Sequence, residues 1–319
     1  MQREIDLLRS ALGSQHPGDA FITTTAPASV EVGRVNEYYR DDEEFVLALA
    51  DALRVEYETI AKAGFLVQVD DAWLAALWDR IGIKMGLEQY KKYCMVRVEA
   101  LNHALANVPE EQVRYHLCWG SWHGPHAHDI PLADMVDVLL AIKAQTYLFE
   151  AANARHEHEY AIWEDVDLPE GKILAPGVVT HSTPLIEHPE LVSQRIQRFA
   201  KIVGSPNVIA STDCGLGLRC HPQIAWAKLK ALADGAALAS KDLGLAASDR
   251  SLRGSMTETR LPTYFVSHGG GPWPHMQDQQ RARVVRARRT SPGAPPGRGP
   301  LVPRRWTARV CTTQVTLPS

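Results

Sequence analysis

The sequence predicts an α/β fold, a partial (β/α)8 (TIM) barrel that ends in a disordered, basic C-terminal tail. Short apolar runs of strand length alternate with amphipathic helical segments between about residues 19 and 244, which is the pattern of parallel β/α units. Polar side chains that can bind metal or catalyse reactions follow several of these runs, as they do at the mouth of a barrel. From residue 277 onward the chain is rich in Arg, Pro and Gly and lacks apolar periodicity, which predicts disorder.

Six apolar runs have the length and the β-branched or aromatic content of strands. They are residues 20–26, 65–70, 113–119, 145–150, 172–179 and 207–213. A closed barrel of this kind requires about eight strands. The sequence therefore supplies most of a barrel but not all of it.

The segments between the runs have helical periodicity and helix-start signals. Residues 42–63 carry a stripe of apolar side chains at helical spacing, and residues 189–204 carry another that opens at Pro189. Proline is favoured at the first position of a helix because its missing N–H has no partner there. On the same ground, Pro131 and Pro222 predict the starts of two further helices.

A doubly wound nucleotide-binding sheet is the competing parallel architecture. It normally carries a glycine-rich turn after its first strand, and no such turn follows residues 20–26. The strand ends carry polar groups instead, which are Asp70, His116, Cys118, Glu150, Asp213 and Cys214. Because strand ends converge on one mouth in a barrel, this pattern favours the barrel.

Charge and composition disfavour several classes of protein. A net charge of −3 and a pI of about 6.5 argue against a dedicated nucleic-acid-binding protein. No uncharged apolar run approaches the roughly 18 residues of a membrane span, and the first 21 residues do not resemble a secretory signal. We therefore predict a cytoplasmic protein without a nucleic-acid or membrane partner, whose five cysteines are too few and too scattered for a disulfide framework.

Three regions are predicted along the chain. Residues 1–244 form the partial barrel, residues 245–276 a linker, and residues 277–319 the disordered tail. The tail contains nine arginines against one aspartate, a net charge of +8, so the rest of the chain carries −11. A basic tail can contact nucleic acid or an acidic surface, but the favoured interpretation is a tail without a selected function.

Four of the strand-end residues have the chemistry of a metal site. His116 and Cys118 are two apart on a predicted strand, so their side chains point to the same face. Glu150 and Cys214 end two later strands. One nitrogen, two sulfurs and one carboxylate are ligands that zinc accepts, although packing or solvation is the favoured interpretation for each residue alone. Ligands from separate strands favour a catalytic ion, which would activate a thiol for alkyl transfer.

The order of five strand-end motifs resembles a known family. The motifs are FLVQVDDAW, YHLCW, YLFE, PGVVTHSTP and STDCGLG. They are similar to the C-terminal catalytic barrel of cobalamin-independent methionine synthase, and more closely to the shorter bacterial members of that family, which include epoxyalkane:coenzyme M transferases. The resemblance covers about residues 20–243 and implies four zinc ligands, which are His116, Cys118, Glu150 and Cys214.

The resemblance also implies two further site residues and a missing part of the barrel. Asp70 matches the family's substrate-contacting aspartate, and His181 most nearly matches its proton donor. About two N-terminal β/α units of the family's barrel have no counterpart here, and residues 2–13 resemble the helix that leads into the third strand.

The implied activity is zinc-dependent transfer of a methyl group from 5-methyltetrahydrofolate (polyglutamate) to the thiol of homocysteine, which forms methionine. Its partners would be a small-molecule thiol and a methyl or alkyl donor. Two alternatives stay open at this stage. One is alkyl transfer to another thiol such as coenzyme M, and the other is a catalytically silent, truncated chain.

A second, brief resemblance lies outside the barrel. Residues 256–276 resemble the start of an extradiol-type dioxygenase, in which the histidine corresponding to His268 is a metal ligand. We interpret this segment as a remnant and not as a second active domain. The loop histidines His123, His126 and His128 are candidates for a second metal cluster, but surface exposure is the favoured interpretation.

Overall fold

The fold is built on one sheet of six parallel strands that follow one another in chain order. The computed structural model describes residues 1–14, 16–121, 126–217, 219–245, 307–308 and 315–316. The strands are β1 (Phe21–Thr25), β2 (Leu66–Asp71), β3 (Val113–Leu117), β4 (Thr146–Phe149), β5 (Ile173–Val179) and β6 (Ser211–Thr212). The strands lie in the six predicted runs, except that β2 extends one residue beyond its run, to Asp71, so the predicted α/β partial barrel is confirmed.

Helices connect the strands, as parallel pairing requires. They are α1 (Gln2–Leu12), α2 (Pro27–Glu31), α3 (Asp42–Lys62), α4 (Ile83–Met85), α5 (Leu87–Ala104), α6 (Leu132–Leu140), α7 (Pro189–Val203) and α8 (Pro222–Asp242). A π-helical turn (Trp78–Gly82) leads into α4. Between β4 and β5 the helical segment is a 3-10 helix (Glu157–Glu164). No helix among the described residues is both long and apolar enough to cross a membrane.

The sequence signals for the helix starts have clear structural counterparts. The Asp41 side chain accepts a hydrogen bond from the Glu44 backbone N–H at 2.9 Å and so caps the start of α3. Pro189 and Pro222 are the first residues of α7 and α8, and Pro131 immediately precedes α6. These caps and prolines fix where each helix begins.

The core lies on both faces of the sheet. Every residue of β3 and β4 is buried, as expected of parallel strands covered on both sides. Among the largest fully buried side chains are the aromatic residues Tyr57, Phe65, Tyr90, Tyr115, Trp119 and Tyr147. The two edge strands, β1 and β6, each pair with one neighbour among the described residues.

β6 is shorter than the predicted run 207–213. Val208 forms only an isolated bridge with Leu174, and the register between β5 and β6 shifts between Gly177 and Val179. Because of this irregularity the continuous ladder is confined to Ser211–Thr212. The residues that follow β6, which include Asp213 and Cys214, therefore lie in a loop at the end of the sheet.

The predicted regions beyond the barrel fall mostly outside the described residues. The linker 245–276, with its dioxygenase-like segment and His268, is outside them apart from residue 245. Within the predicted tail 277–319 the structure describes one short antiparallel pair, Thr307–Ala308 with Val315–Thr316. The rest of the tail lies outside the described residues, so its predicted disorder stays a prediction.

Candidate metal and catalytic site

The end of β3 places one imidazole and one thiol on the same face of the sheet. His116 is the fourth residue of β3, and Cys118 follows the strand, its backbone N–H bound to the Asp71 carbonyl at 3.1 Å. The chain then turns sharply through Gly120 and Ser121, whose φ angles are 95° and 38°. The turn brings the Gly120 N–H to 3.3 Å from Cys118 Sγ, so the sulfur lies in a polar backbone pocket.

Cys214 completes a three-donor group with these two residues. Its Sγ lies 3.8 Å from the Sγ of Cys118. His116 Nε2 lies 3.2 Å from the carbonyl oxygen of Asp213, the residue before Cys214. One ligand atom from each of His116, Cys118 and Cys214 falls within 4.8 Å of the other two, which is a geometry that can hold a metal ion.

His116 and Cys118 are buried and Cys214 is half-buried, and the pKa values of the two buried groups reflect their surroundings. The hydrogen bond with Cys214 and burial together raise the pKa of the Cys118 thiol well above its usual value. Burial lowers the pKa of His116, but the hydrogen bond and charge of Asp70 outweigh it and raise that pKa to about 9. A thiol whose pKa is raised in this way needs a cation beside it before its sulfur ionises.

Asp70 lies against His116. The two residues are direct partners in the β2–β3 ladder, and Asp70 Oδ1 is 2.5 Å from His116 Nδ1. Asp70 is 6% exposed and His116 is 3% exposed. The structure thus places the predicted substrate-contacting aspartate in contact with a predicted zinc ligand.

Glu150, the remaining predicted zinc ligand, lies in an adjacent group of donors. Its side chain is fully buried just after β4. Its Oε2 accepts hydrogen bonds from Asn153 Nδ2 at 2.7 Å and Arg155 Nη2 at 3.0 Å. It forms a three-donor group with His181 and Asp213, again within 4.8 Å. Three of the four predicted ligands thus share one group, and the fourth belongs to the neighbouring one.

Opposing influences act on the Glu150 carboxyl. Burial and the nearby charge of Asp213 raise its pKa to about 7, against the lowering effect of Arg155 and His156. A carboxyl with a pKa near neutrality changes its charge readily when its surroundings change. Glu150 is therefore the predicted ligand whose charge changes most readily near neutral pH.

His181 follows β5 and faces this second group. It is 5% exposed, and its Nδ1 has no hydrogen-bond partner in the described part of the chain. Burial lowers its pKa. The preceding residue, Thr180, is held by a hydrogen bond of 2.8 Å from its backbone N–H to Glu187 Oε1. The structure thus holds an unpartnered ring nitrogen beside two buried carboxylates.

Two residues link the groups, Asp213 and Asn153; Asp213 was predicted only as a polar strand-end residue without a role in the site, and Asn153 was not predicted. Asp213 Oδ1 accepts hydrogen bonds of 2.8 Å from the backbone N–H groups of Ala151 and Ala152. Asp213 Oδ2 accepts one of 3.1 Å from Asn153 Nδ2, so Asn153 bridges Asp213 and Glu150. The spacing E-x-x-N-x-R after a strand end was the only signal for Asn153 and Arg155.

The loop histidines His126 and His128 belong to neither three-donor group. His126 Nδ1 lies 2.9 Å from Asp129 Oδ1, and His128 is exposed. His123 is outside the described residues. The predicted second cluster therefore has no three-donor group among the described residues.

Comparisons with known proteins place these features in one family. A family profile described as "Cobalamin-independent synthase, Catalytic domain" matches residues 23–238. The methionine synthase of Thermococcus kodakarensis is 26% identical over 223 residues, which are 70% of this chain and 58% of that protein. The methionine synthase of Saccharolobus solfataricus is 26% identical over 225 residues, 70% of this chain and 59% of that protein. The chain thus spans somewhat more than half the length of these curated relatives.

One solved structure supports the fold. It is a B12-independent methionine synthase from Shewanella sp. W3-18-1 in complex with selenomethionine. The TM-score is 0.61 at 19% sequence identity, and the match covers 76% of this chain and 67% of that one. The likeness supports the same arrangement of strands and helices.

Proposed function

The chain belongs to the family of cobalamin-independent synthase catalytic domains, and on that premise we propose that it is a zinc-dependent thiol methyltransferase. The proposed reaction transfers a methyl group from 5-methyltetrahydrofolate, as its polyglutamate, to the thiol of homocysteine and forms methionine. The observation that carries this proposal is the largely buried group of His116, Cys118 and Cys214, drawn from two separate strand ends. The proposed compartment is the cytoplasm.

The donors present fit a zinc ion. One imidazole nitrogen and two thiol sulfurs are ligands that zinc binds well, and a cation would compensate the ionisation of one buried and one half-buried sulfur. We assign Glu150, whose group adjoins the first through the consecutive residues Asp213 and Cys214, as the fourth ligand. A bound zinc ion would supply a Lewis acid that lowers the pKa of the substrate thiol, so that it reacts as a thiolate.

Of the residues that would hold a zinc ion, Glu150 is the one that a substrate sulfur would most readily replace. Oxygen is the hardest donor of the set, and a soft thiolate competes best against it. Asn153 and Arg155 already hold Glu150 Oε2, so a released carboxylate would keep hydrogen-bonded partners. Asp70, at the same mouth, is proposed to contact the amino group of the thiol substrate.

His181 is proposed to supply the proton that the leaving group needs. In the reaction the thiolate sulfur forms a bond to the methyl carbon, the carbon–nitrogen bond of the donor breaks, and the donor nitrogen takes up a proton. The buried His181 ring, whose pKa is lowered by desolvation, is a stronger acid in its protonated form than an exposed histidine. The thiol proton leaves to solvent when the substrate binds.

The test is direct assay of the purified, zinc-loaded chain with homocysteine and 5-methyltetrahydrofolate. We expect methionine by mass spectrometry, and we expect kcat about 10²–10⁴-fold lower in H181Q. H158Q serves as the control because His158 is exposed. If the zinc-loaded wild type forms no methionine, the proposal is wrong. If the chain forms no methionine but alkylates coenzyme M with an epoxide, the thiol acceptor is coenzyme M and not homocysteine.

A further inference from the structure

The strongest polar contact at the metal group comes from a residue outside it. In the parallel ladder of β2 and β3, Asp70 is the direct partner of His116. Partners in such a ladder point their side chains to the same face. The carboxylate and the imidazole consequently meet, with Asp70 Oδ1 at 2.5 Å from His116 Nδ1. The contact is therefore set by strand register and not by a flexible loop.

This contact determines how the imidazole is presented. A neutral imidazole has one N–H donor and one acceptor nitrogen. A carboxylate only accepts, so His116 Nδ1 donates its hydrogen to Asp70. Nε2 lies 3.2 Å from the carbonyl oxygen of Asp213, which can only accept, so Nε2 also carries a hydrogen in this structure. A metal ion would take the place of that hydrogen, because Nδ1 is held by Asp70 and Nε2 lies beside the residue before Cys214.

We propose that Asp70 is a positioning residue of the metal centre, which fixes the ring and the tautomer of His116 so that Nε2 faces the two cysteine sulfurs. This inference rests on the proposed function, because it requires the group to hold a metal. It adds a role for Asp70 beyond contact with the thiol substrate. Carboxylate partners of this kind raise the basicity of a ligating histidine and strengthen metal binding.

The neighbouring carboxylate does not take this role. Asp71 is next in β2 and points to the opposite face, as alternation along a strand requires. Its Oδ1 accepts hydrogen bonds of 3.0 Å from the Ser29 hydroxyl and from the Leu74 backbone N–H. Its Oδ2 lies 3.1 Å from the Tyr115 hydroxyl. Asp71 therefore anchors the loop after β2, and Asp70 alone of the two reaches His116.

The experiment measures zinc affinity, not turnover, in the full chain. Wild type, D70N and D51N are compared by chelator competition at one pH. D51N is a matched control, because Asp51 Oδ1 lies 2.8 Å from Nε2 of the half-exposed His103, away from the metal group. We expect D70N to bind zinc about 10–100-fold more weakly and D51N to bind it as wild type does. Circular dichroism verifies that each variant is folded. If D70N does not fold, D70E is measured instead, and we expect it too to bind zinc more weakly than wild type.

A double-mutant cycle separates positioning from a general effect. If Asp70 acts through His116, D70N costs little further zinc affinity in an H116Q background. The Co²⁺-substituted wild type and D70N should also differ in their visible absorption spectra. Equal zinc affinity in folded wild type and D70N, with only the KM for homocysteine raised, would overturn the inference and leave the proposed function intact. A wild type that binds no zinc would overturn both.

Discussion

The Sγ atoms of Cys118 and Cys214 lie 3.8 Å apart, although 96 residues separate the two cysteines in the chain. Cys118 follows β3 and Cys214 follows β6, so a sheet that brings these strand ends together is required for the contact. The hydrogen bond with Cys214 and burial both raise the pKa of the Cys118 thiol. Cys118 is therefore a poor free nucleophile, and the two sulfurs are placed where they can share a metal ion.

Replacing Cys118 by serine should abolish zinc binding by the chain. The variant removes a sulfur from the three-donor group and leaves a hydroxyl, which is a far weaker zinc ligand. We expect about one equivalent of zinc per wild-type chain and almost none in C118S, measured by atomic emission after exhaustive dialysis. C94S is the matched control, because Cys94 is a buried cysteine of α5 outside the group. Equal zinc content in wild type and C118S would contradict the assignment.

The sequence was sufficient to predict the positions of the six strands and the starts of α3, α6, α7 and α8. The six runs are dense in apolar and β-branched residues, and this pattern is local, so it can be recognised without knowledge of the fold. The same applies to Pro189 and Pro222, which open α7 and α8. The short extent of β6 could not be predicted in this way, because the shift between Gly177 and Val179 depends on how two distant strands meet.

The site was predictable in part for the same reason. The spacing of His116 and Cys118 along one strand predicts a shared face, but the contact between Asp70 and His116 depends on the β2–β3 register. No local pattern specifies that register. Similarly, Asn153 joins Glu150 to Asp213 over 60 residues of chain, and its sequence position marks it only as a loop residue.

Replacing Gly177 by alanine should weaken both folding and zinc binding. A Cβ at this position would lie 2.5 Å from the Cα of Asp213 and 2.7 Å from its backbone nitrogen. These atoms are backbone, so the segment that carries Cys214 must shift. We expect about 1–3 kcal/mol loss in the free energy of unfolding, by urea denaturation, and a reduced zinc affinity by chelator competition.

The control for this variant is G235A. A Cβ at Gly235 would lie 2.5 Å from Cγ1 of Val192 and 2.8 Å from the Pro189 carbonyl oxygen. The clash would therefore be between α8 and α7, at a distance from the metal group. G235A should also lower the free energy of unfolding but leave zinc affinity unchanged. If both variants lose zinc affinity equally, the loss reflects general destabilisation and not the position of Cys214.

His156 should make the stability of the fold depend on pH above neutrality. It is 2% exposed, its Nδ1 lies 2.8 Å from Glu159 Oε2, and its Nε2 lies 3.5 Å from Asp129 Oδ2. Burial lowers its pKa, but the two carboxylates outweigh burial and raise it to about 9. Because the pKa is higher in the folded chain, this stabilisation is complete below about pH 6.5 and is lost as the pH rises through 9.

Replacing His156 by glutamine should flatten that pH dependence. The pKa shift corresponds to a stabilisation of the order of 3 kcal/mol, so wild type should lose more unfolding free energy than H156Q between pH 6.5 and 9.5. Urea denaturation at the two pH values measures the difference, and the exposed His158 provides the control H158Q. Equal losses in wild type and H156Q would show that His156 is neutral in the folded chain.

Replacing Lys228 by methionine should destabilise the fold and disturb the loop that follows His181. Lys228 is fully buried, and its Nζ lies 2.9 Å from Glu187 Oε2. The other carboxylate oxygen of Glu187 accepts the Thr180 backbone N–H, next to His181. Removing the cation leaves a buried carboxylate without its counter-ion, for which we expect about 3–5 kcal/mol loss in the free energy of unfolding by urea denaturation.

K230M should change this free energy by less than about 1 kcal/mol, because Lys230 pairs with Asp234 on the exposed face of the same helix. If K228M and K230M proved equally mild, the Lys228–Glu187 pair would not be what holds the loop.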